Sequence, residues 1–150
     1  FIFFGLINVK GQPKVIEYNV RMGDPETEVV LPRISSDFLN LLIGINDGTF
    51  SERDLEISTE VAATVMLVSG GYPSNYEKDK LILGTDKVDK SIIFHAGTKL
   101  DDGLKTNGGR VLALTSLAEN LNLALKASYD SAKQISFNKK YYRTDIGFDL

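Results

Sequence analysis

The stretch from Lys14 to Glu26 constrains this chain most. It begins Lys14-Val15-Ile16-Glu17-Tyr18-Asn19-Val20-Arg21 and ends in Gly23-Asp24-Pro25-Glu26. Polar and apolar residues alternate through its first part. In a strand, residues i, i+2 and i+4 share a face. Glu17, Asn19 and Arg21 then project one way, and Ile16, Tyr18 and Val20 project towards a core. Such alternation is also what a plainly solvated strand face looks like. The chemistry of the polar face is more particular. A carboxylate and an amide side by side offer two oxygen ligands to a hard cation such as magnesium. A guanidinium one step further suits a carboxylate or phosphate. Gly23-Asp24-Pro25-Glu26 is turn chemistry, and Pro25 is placed to open a helix.

The 150 residues are enough for a domain with a real core. Apolar residues make up 43% and charged residues 25%, ordinary values for a soluble globular protein. The net charge of −3 offers no basic stripe for nucleic acid. No apolar run reaches membrane-spanning length, and no charged-then-apolar leader is present, so no membrane partner is expected. With zero Cys there are neither disulfides nor Cys-based zinc sites, which fits a cytoplasmic protein. The chain opens without Met inside Phe1-Ile2-Phe3-Phe4-Gly5-Leu6-Ile7. Both faces of that run are apolar, as in a strand buried on both sides. The expectation is a piece cut from the C-terminal part of a longer protein.

In chain order, Phe1 to Val9 and Pro13 to Asn19 read as two strands. Lys10-Gly11-Gln12-Pro13 is the turn of an antiparallel hairpin. Phe4, Leu6, Ile16 and Tyr18 are expected core residues. Pro25 to Ile34 reads as a short helix with Glu26 and Glu28 at its positive end, stopped or kinked by Pro32. Ser36 or Asp37 caps a second helix with the stripe Phe38, Leu41, Leu42 and Ile45, stopped at Asp47-Gly48. Residues 49 to 58 read as a connection. Glu60 to Ser69 reads as a buried strand broken by Gly70-Gly71-Tyr72-Pro73. Leu81 to Leu83 and Ser91 to Thr98 are further strands. Asn107-Gly108-Gly109 reads as a hairpin turn between Leu104 to Thr106 and Arg110 to Leu114. Ser116-Leu117-Ala118-Glu119 has the form of a capping box. It would open the longest helix, with Leu117, Leu121, Ala124, Leu125, Ala132 and Ile135 on one face. Tyr141 to Phe148 would return as an edge strand. No internal repeat and no low-complexity tract is present. The expected class is α+β with mostly antiparallel sheet.

Several motifs occur together. Glu17 to Glu28, Gly70-Gly71-Tyr72-Pro73, His95-Ala96-Gly97-Thr98, Gly108-Gly109-Arg110-Val111-Leu112 and Tyr142-Arg143-Thr144-Asp145-Ile146-Gly147 follow one another along the chain. In that order they resemble the phosphoribosylamine–glycine ligase (glycinamide ribonucleotide synthetase) family over essentially the whole length. Met22 stands where the family more often has Phe or Leu. The resemblance implies that residues 1–50 are the C-terminal part of an ATP-grasp domain. Residues 51–150 would be the family's small, mostly antiparallel C-terminal domain with a long packing helix.

The resemblance also implies an activity. Such enzymes use ATP to join glycine to 5-phosphoribosylamine, through a glycyl phosphate, in purine synthesis. Glu17 and Asn19 would hold Mg²⁺, or Mn²⁺, against the ATP phosphates. Arg21 would stabilise charge on the acyl phosphate. Asp24 and Glu26 would either orient the glycine amine or tie down Arg21. Tyr72 would shape the substrate pocket. Arg110, directly after a Gly-Gly turn, would meet the substrate phosphate. Gly108 and Gly109 are either simple turn residues or backbone donors to that phosphate. His95, the only histidine, is either structural or a substrate contact. Other partners would be the N-terminal domains of the same chain, with self-association through a bare sheet edge in their absence. Two rival readings are another ATP-grasp ligase, such as a biotin-dependent carboxylase, and a non-catalytic interaction module. Gly23-Asp24-Pro25-Glu26 argues against the carboxylase.

Overall fold

A computed structural model describes residues 2–148. The first part is a hairpin of β1 (Phe3–Val9) and β2 (Gln12–Asn19). The Lys10-Gly11 turn lies in the left-handed region at both residues, the backbone a two-residue hairpin loop requires. Opposite residues share a face, so Phe3 with Asn19 and Gly5 with Glu17 form one face, and Phe4 with Tyr18 the other. Leu6 pairs with Val15, leaving Ile16 as a bulge. The Phe4 and Tyr18 rings meet edge to face at 5.3 Å. Phe4, Leu6, Ile16 and Tyr18 are nevertheless exposed, at 52%, 55%, 65% and 65%. The expected burial of β1 on both faces, and the core role of these four residues, are corrected. Period-two alternation shows that a strand has an apolar side, not that anything lies against it. Phe1 lies outside the described residues.

Helix α1 (Glu26–Val30) runs into a 3-10 turn over Leu31–Arg33 where Pro32 removes a backbone donor. Helix α2 (Phe38–Asp47) is capped by Asp37, whose Oδ1 accepts from the Asn40 N–H at 3.0 Å. It ends at Gly48 in the left-handed conformation. Arg33 to Ser35 is tied to 56–58: Ser35 N–H donates to Glu56 O at 2.9 Å and Ser58 N–H to Arg33 O at 2.7 Å. Residues 49–58 are thus a mostly exposed connection whose end is tied back to 33–35.

The second part is built on a three-stranded antiparallel sheet. Its order is β3 (Val61–Val68), β7 (Arg110–Ala118), β4 (Ile92–His95). The β-branched and apolar run of β3 suits this half-buried surface. β7 is central, and every residue from Val111 to Ser116 is buried. Helix α3 (Leu121–Gln134) lies over β3 and β7 with small residues inward: Ala124, Ser128, Ser131 and Ala132. Small side chains let the helix backbone approach, and the polar ones are satisfied. The Ser128 hydroxyl bonds Ala63 O at 3.0 Å and the Ser116 hydroxyl at 2.9 Å, while Ser91 bridges Ser116 and Ser131 at 2.7 Å each. Val65, Leu67, Leu112, Leu114, Ile135 and Phe137 lie in the core beneath.

Five local expectations are corrected here. Ser116 to Glu119 does not open the helix: β7 continues to Ala118, placing Leu117 in a strand. The cap is Asn120, whose Oδ1 accepts from the Leu123 N–H at 3.0 Å. Asn107 to Gly109 does not join a hairpin either. β6 (Leu104–Thr106) pairs with β5 (Thr98–Leu100) across Asp101 to Gly103, whereas β7 pairs with β3 and β4. Ser91 to Thr98 splits into β4 and β5 at Ala96-Gly97, where Ala96 N–H and Gly97 N–H donate to Val111 O and Arg110 O at 3.1 and 2.8 Å. Leu81 to Leu83 makes isolated bridges, Leu81 to Lys105 and Leu83 to Ser136. The tail is an edge only at Tyr141, bridged to Val68. The coarse class, α+β with antiparallel sheets and a C-terminal helix, stands.

The two parts join through α1, where the Thr115 hydroxyl donates to Glu28 O at 2.9 Å and shares a 2.6 Å bond with Thr64. Among the described residues no helix is long and apolar enough to cross a membrane.

Removing the true cap leaves a helix N-terminal donor without its acceptor. Asn120→Ala is expected to destabilise the chain by about 1 kcal/mol, measured as a shift in the urea midpoint. A second expectation concerns pH. Hydrogen bonds from Lys139 at 2.9 Å and Lys80 at 2.6 Å hold the Glu77 carboxyl at about 2, below its ordinary 4.5. A carboxylate with a lowered folded pKa stabilises fully above its unfolded value and loses that stabilisation as pH falls towards the folded one. The Glu77 contribution therefore disappears between 4.5 and about 2. Carbon-detected NMR titration should place its midpoint near 2, and Lys139→Met should raise it.

Candidate functional site

Burial of β7 fixes where its first residue emerges. Arg110 leaves the sheet at the start of that strand and reaches the turn before α1. Its Nη1 donates to Asp24 O at 2.9 Å and its Nη2 pairs with Asp24 Oδ2 at 2.9 Å. Asp24 therefore pairs with Arg110, and Arg21 donates to Met22 O at 3.1 Å. The exposed ion pair alone contributes little. With its backbone bond it still fixes the 23–26 turn against the second part of the molecule.

Arg110 borders an open cleft of about 340 Å³ whose walls include Pro25, Met66, Tyr72, Tyr142, Arg143 and Ile146. Tyr72 stands against Gly109 so closely that a Cβ there would lie 2.2 Å from the ring. Gly109 thus gives the tyrosine its place. Its ring also meets Tyr76 at 6.2 Å. Gly108 has a related reason: its Cα lies 2.6 Å from where a Cβ on Gly97 would be, so the two backbones touch. The backbone of this loop is already engaged, since Ser69 bonds Gly108 O at 2.9 Å through its hydroxyl and Gly109 O at 2.8 Å through its N–H.

The opposite wall comes from the tail. Tyr142 packs its ring near Tyr129 at 6.2 Å and beneath the Lys140 ammonium at 5.4 Å. Lys140 donates to Ala132 O at 2.7 Å and to Ile135 O, where a cation complements the carbonyl end of α3. Burial lowers its pKa below the usual lysine value. Ile146 N–H donates to the Tyr129 hydroxyl at 3.2 Å. Between these anchors Arg143 pairs twice with Asp145: Nε to Oδ1 and Nη2 to Oδ2, each at 2.9 Å. Those bonds raise the guanidinium and lower the carboxyl relative to their ordinary values, so both stay charged.

The remaining sequence-selected residues lie elsewhere. Glu17 is exposed on β2, and Asn19, on the same face, is half-buried. Their oxygens match a hard cation in type, but they are only two. Among the described residues no group of three or more His, Asp or Glu side chains could hold a metal. Glu26 folds over Gly23, and with Arg21 it lines a separate cleft of about 190 Å³ at the foot of the hairpin. His95 ends β4, exposed, with Nδ1 3.0 Å from the Thr98 hydroxyl. The structure therefore joins Asp24, Tyr72, Gly109 and Arg110 at one cleft and places Arg21 with Glu26 at another. Reading by residue type gave no role to Met66, Tyr142 or Arg143. Only the Tyr142 to Gly147 motif drew attention to the last two.

Comparison with known proteins shows what this arrangement belongs to. Residues 62–149 match the family model of the phosphoribosylglycinamide synthetase C domain. The chain is 42% identical over 151 aligned residues to the phosphoribosylamine–glycine ligase of Fusobacterium nucleatum, covering 97% of this chain and 35% of that protein. It is also 42% identical to the bifunctional purine biosynthetic protein PUR2,5 of Pichia angusta, covering 97% of this chain and 19% of that one. A crystal structure of phosphoribosylamine–glycine ligase from Thermotoga maritima superposes with a TM-score of 0.83 at 36% identity, over 96% of this chain and 36% of that one. The chain thus spans about a third of the length of the curated ligases it matches. On the match of residues 62–149 to its C domain, this chain belongs to the phosphoribosylglycinamide synthetase family.

Proposed function

We propose that this chain is a portion of an ATP-dependent phosphoribosylamine–glycine ligase of purine synthesis, and that it supplies part of the substrate site. The Arg110–Asp24 clasp carries the reading, because it fixes the 23–26 turn, at the end of the polar 17–26 segment, against the cleft of the C domain. Residues 1–50 are then the end of an ATP-grasp domain, and residues 51–150 the C-terminal domain. The enzyme works in the cytoplasm. Glycine's carboxylate takes the terminal phosphoryl group of ATP, and the amine of 5-phosphoribosylamine attacks the resulting acyl phosphate, releasing phosphate. The protein's share of such chemistry is positioning and charge stabilisation.

Glu17 and Asn19 fit Mg²⁺ or Mn²⁺ by donor type and shared face, as two ligands of a shell that ATP phosphates complete. The ion would supply charge neutralisation on those phosphates. Arg21 stabilises charge on the acyl phosphate, and Glu26, beside it in the smaller cleft, orients the glycine amine. Asp24 holds Arg110, whose remaining donors meet the phosphate of phosphoribosylamine. Tyr72 shapes the pocket for the sugar. Gly108 and Gly109 set the loop behind it, and His95 contacts substrate from the end of β4. The apolar residues exposed on the β1–β2 hairpin and α2 are covered by the ligase's N-terminal domains. The isolated chain therefore self-associates through them.

Substituting this chain for the matching segment of the Fusobacterium nucleatum ligase tests the reading. The chimera should form ADP over repeated turnovers only with glycine and phosphoribosylamine together, and a folded but inactive chimera would refute it. Within it, Glu17→Gln should lower Mg²⁺-dependent kcat by roughly a hundredfold or more. Arg110→Ala should raise KM for phosphoribosylamine and leave that for ATP unchanged. The chain alone, titrated calorimetrically with Mg-ATP, should show no binding in the micromolar range, because two ligands do not complete a magnesium shell.

A further inference from the structure

We infer that Asn107-Gly108 is a site of spontaneous covalent modification, where the chain converts its own Asn107 amide to an aspartyl or isoaspartyl linkage and so deforms one wall of the cleft. The chemistry is internal to the chain and needs only water. The backbone nitrogen of Gly108 attacks the side-chain Cγ of Asn107 and gives up its proton. The new C–N bond closes a five-membered succinimide, and the Cγ–Nδ2 bond breaks with release of ammonia. Water then opens the imide at either carbonyl. Opening at the side-chain carbonyl leaves an ordinary aspartyl residue. Opening at the main-chain carbonyl leaves an isoaspartyl one.

Nine asparagines occur in the chain, and only Asn107 is followed by glycine. A neighbour without Cβ leaves its nitrogen open to close approach. Both reacting groups are also uncommitted. Asn107 is exposed, and its N–H donates to Gly97 O at 2.7 Å. Among the described residues its carboxamide has no hydrogen-bond partner, and neither has the Gly108 N–H. Three other asparagine oxygens are spent: Asn8 Oδ1 accepts from the Gly11 N–H at 2.8 Å, Asn40 Oδ1 from Arg53 at 2.6 Å, and Asn120 Oδ1 from the Leu123 N–H at 3.0 Å. Attack from the adjoining residue is intramolecular, so proximity alone favours it over hydrolysis by bulk water. The loop has no room for the isoaspartyl product, which carries the main chain through the side-chain methylene and lengthens it between positions 107 and 108. A Cβ on Gly97 would lie 2.6 Å from Gly108 Cα and 2.8 Å from its nitrogen. Ser69 grips Gly108 O and Gly109 O, at 2.9 and 2.8 Å. A longer chain at 107 therefore moves Gly108 and Gly109, and with them the seat of Tyr72 and the start of β7 at Arg110. The modification does not depend on the ligase reading, but its cost to substrate binding rests on it.

The chain alone shows the chemistry. It is held folded in mildly alkaline buffer and sampled over time, beside a second sample held in urea. A lysine-specific protease releases the peptide from Thr106 to Lys126, which carries Asn107 with Asn120 and Asn122 as internal references. The folded chain should gain the amide-to-acid mass and an isoaspartyl linkage at position 107, at a rate proportional to hydroxide. Asn120 and Asn122 should keep their amides. The backbone NMR signals of Gly97, Gly108 and Gly109 should split in proportion to the converted fraction. Asn107→Gln should keep its amide, because a longer side chain closes the ring more slowly, and it loses no side-chain hydrogen bond. Gly108→Ala should slow the conversion severalfold. Its Cβ would lie 2.9 Å from Gly97 Cα, so Asn107→Gln provides the comparison if that variant unfolds. In the chimera with the Fusobacterium nucleatum ligase, ageing should raise KM for phosphoribosylamine in step with the isoaspartyl fraction, and the Asn107→Gln chimera should not age. An amide that persists in the folded chain and converts only in urea overturns the inference, because the fold then shields the pair. Conversion with unchanged Gly108 and Gly109 signals overturns the deformation of the wall. Conversion and deformation with an unchanged KM overturn the placement of the substrate at this wall and leave the modification standing.

Discussion

The rest of the structure depends on the burial of β7. Residues Val111 to Ser116 have no solvent face, so each of their backbone groups must find a partner in the protein. β3 and β4 supply those partners from the two sides. Helix α3 covers the sheet closely because its inner residues are Ala and Ser. The polar atoms this brings in are spent on one another and on Ala63 O. On another flank, Thr115 spends its hydroxyl on Glu28 O and thereby holds α1. A strand so surrounded cannot shift register without turning its neighbours to the wrong face. Its first residue is consequently placed as firmly as its core residues, and that residue is Arg110. The cleft inherits its geometry from the sheet.

Much of this was legible, and the failures share a cause. The β1–β2 hairpin, the Asp37 cap of α2 and β3 follow from patterns a few residues long, and there the local signal and the packing agree. Ser116-Leu117-Ala118-Glu119 has the form of a helix start, but a nine-residue strand central to a sheet wins more burial than a capping box supplies. The true cap, Asn120, is an equally good cap residue, and only the length of β7 chooses between them. Asn107-Gly108-Gly109 reads as a hairpin turn because Gly is the usual turn residue. Here Gly108 admits the backbone of Gly97 and Gly109 admits the ring of Tyr72. Contacts between residues so far apart in sequence leave no local trace.

The candidate site divides in the same way. Residue type picks out Arg110, because a cation after two glycines has an obvious use. Nothing local links it to Asp24, and residue type offers Arg21 as that carboxylate's natural partner. The exchange matters physically. A tie from Asp24 to Arg21 would stay within one segment, whereas the observed tie joins two. It couples the loop carrying Pro25 and Glu26 to the wall carrying Tyr72, so neither can move far without the other. Among the described residues the hairpin has no comparable tie. Its apolar residues were read as core from the apolar run of β1 and the alternation of β2, and they remain on the surface.

The pairing of each arginine with a carboxylate could be taken to mean that neither is free for a ligand. Counting donors argues otherwise. At Arg143 a bidentate carboxylate consumes one fork, and at Arg110 one carboxylate oxygen and a backbone carbonyl take up the other kind of edge; each pairing restrains the guanidinium plane. The carboxylates also prevent two like charges from facing each other across an empty cleft. Asp145 takes the side edge of Arg143 and leaves its end, while Asp24 takes the end of Arg110 and leaves its side. Neither carboxylate therefore uses up the donors of its arginine. The Asp24 clasp thus holds the turn before α1 to the start of β7 without exhausting the guanidinium that makes it.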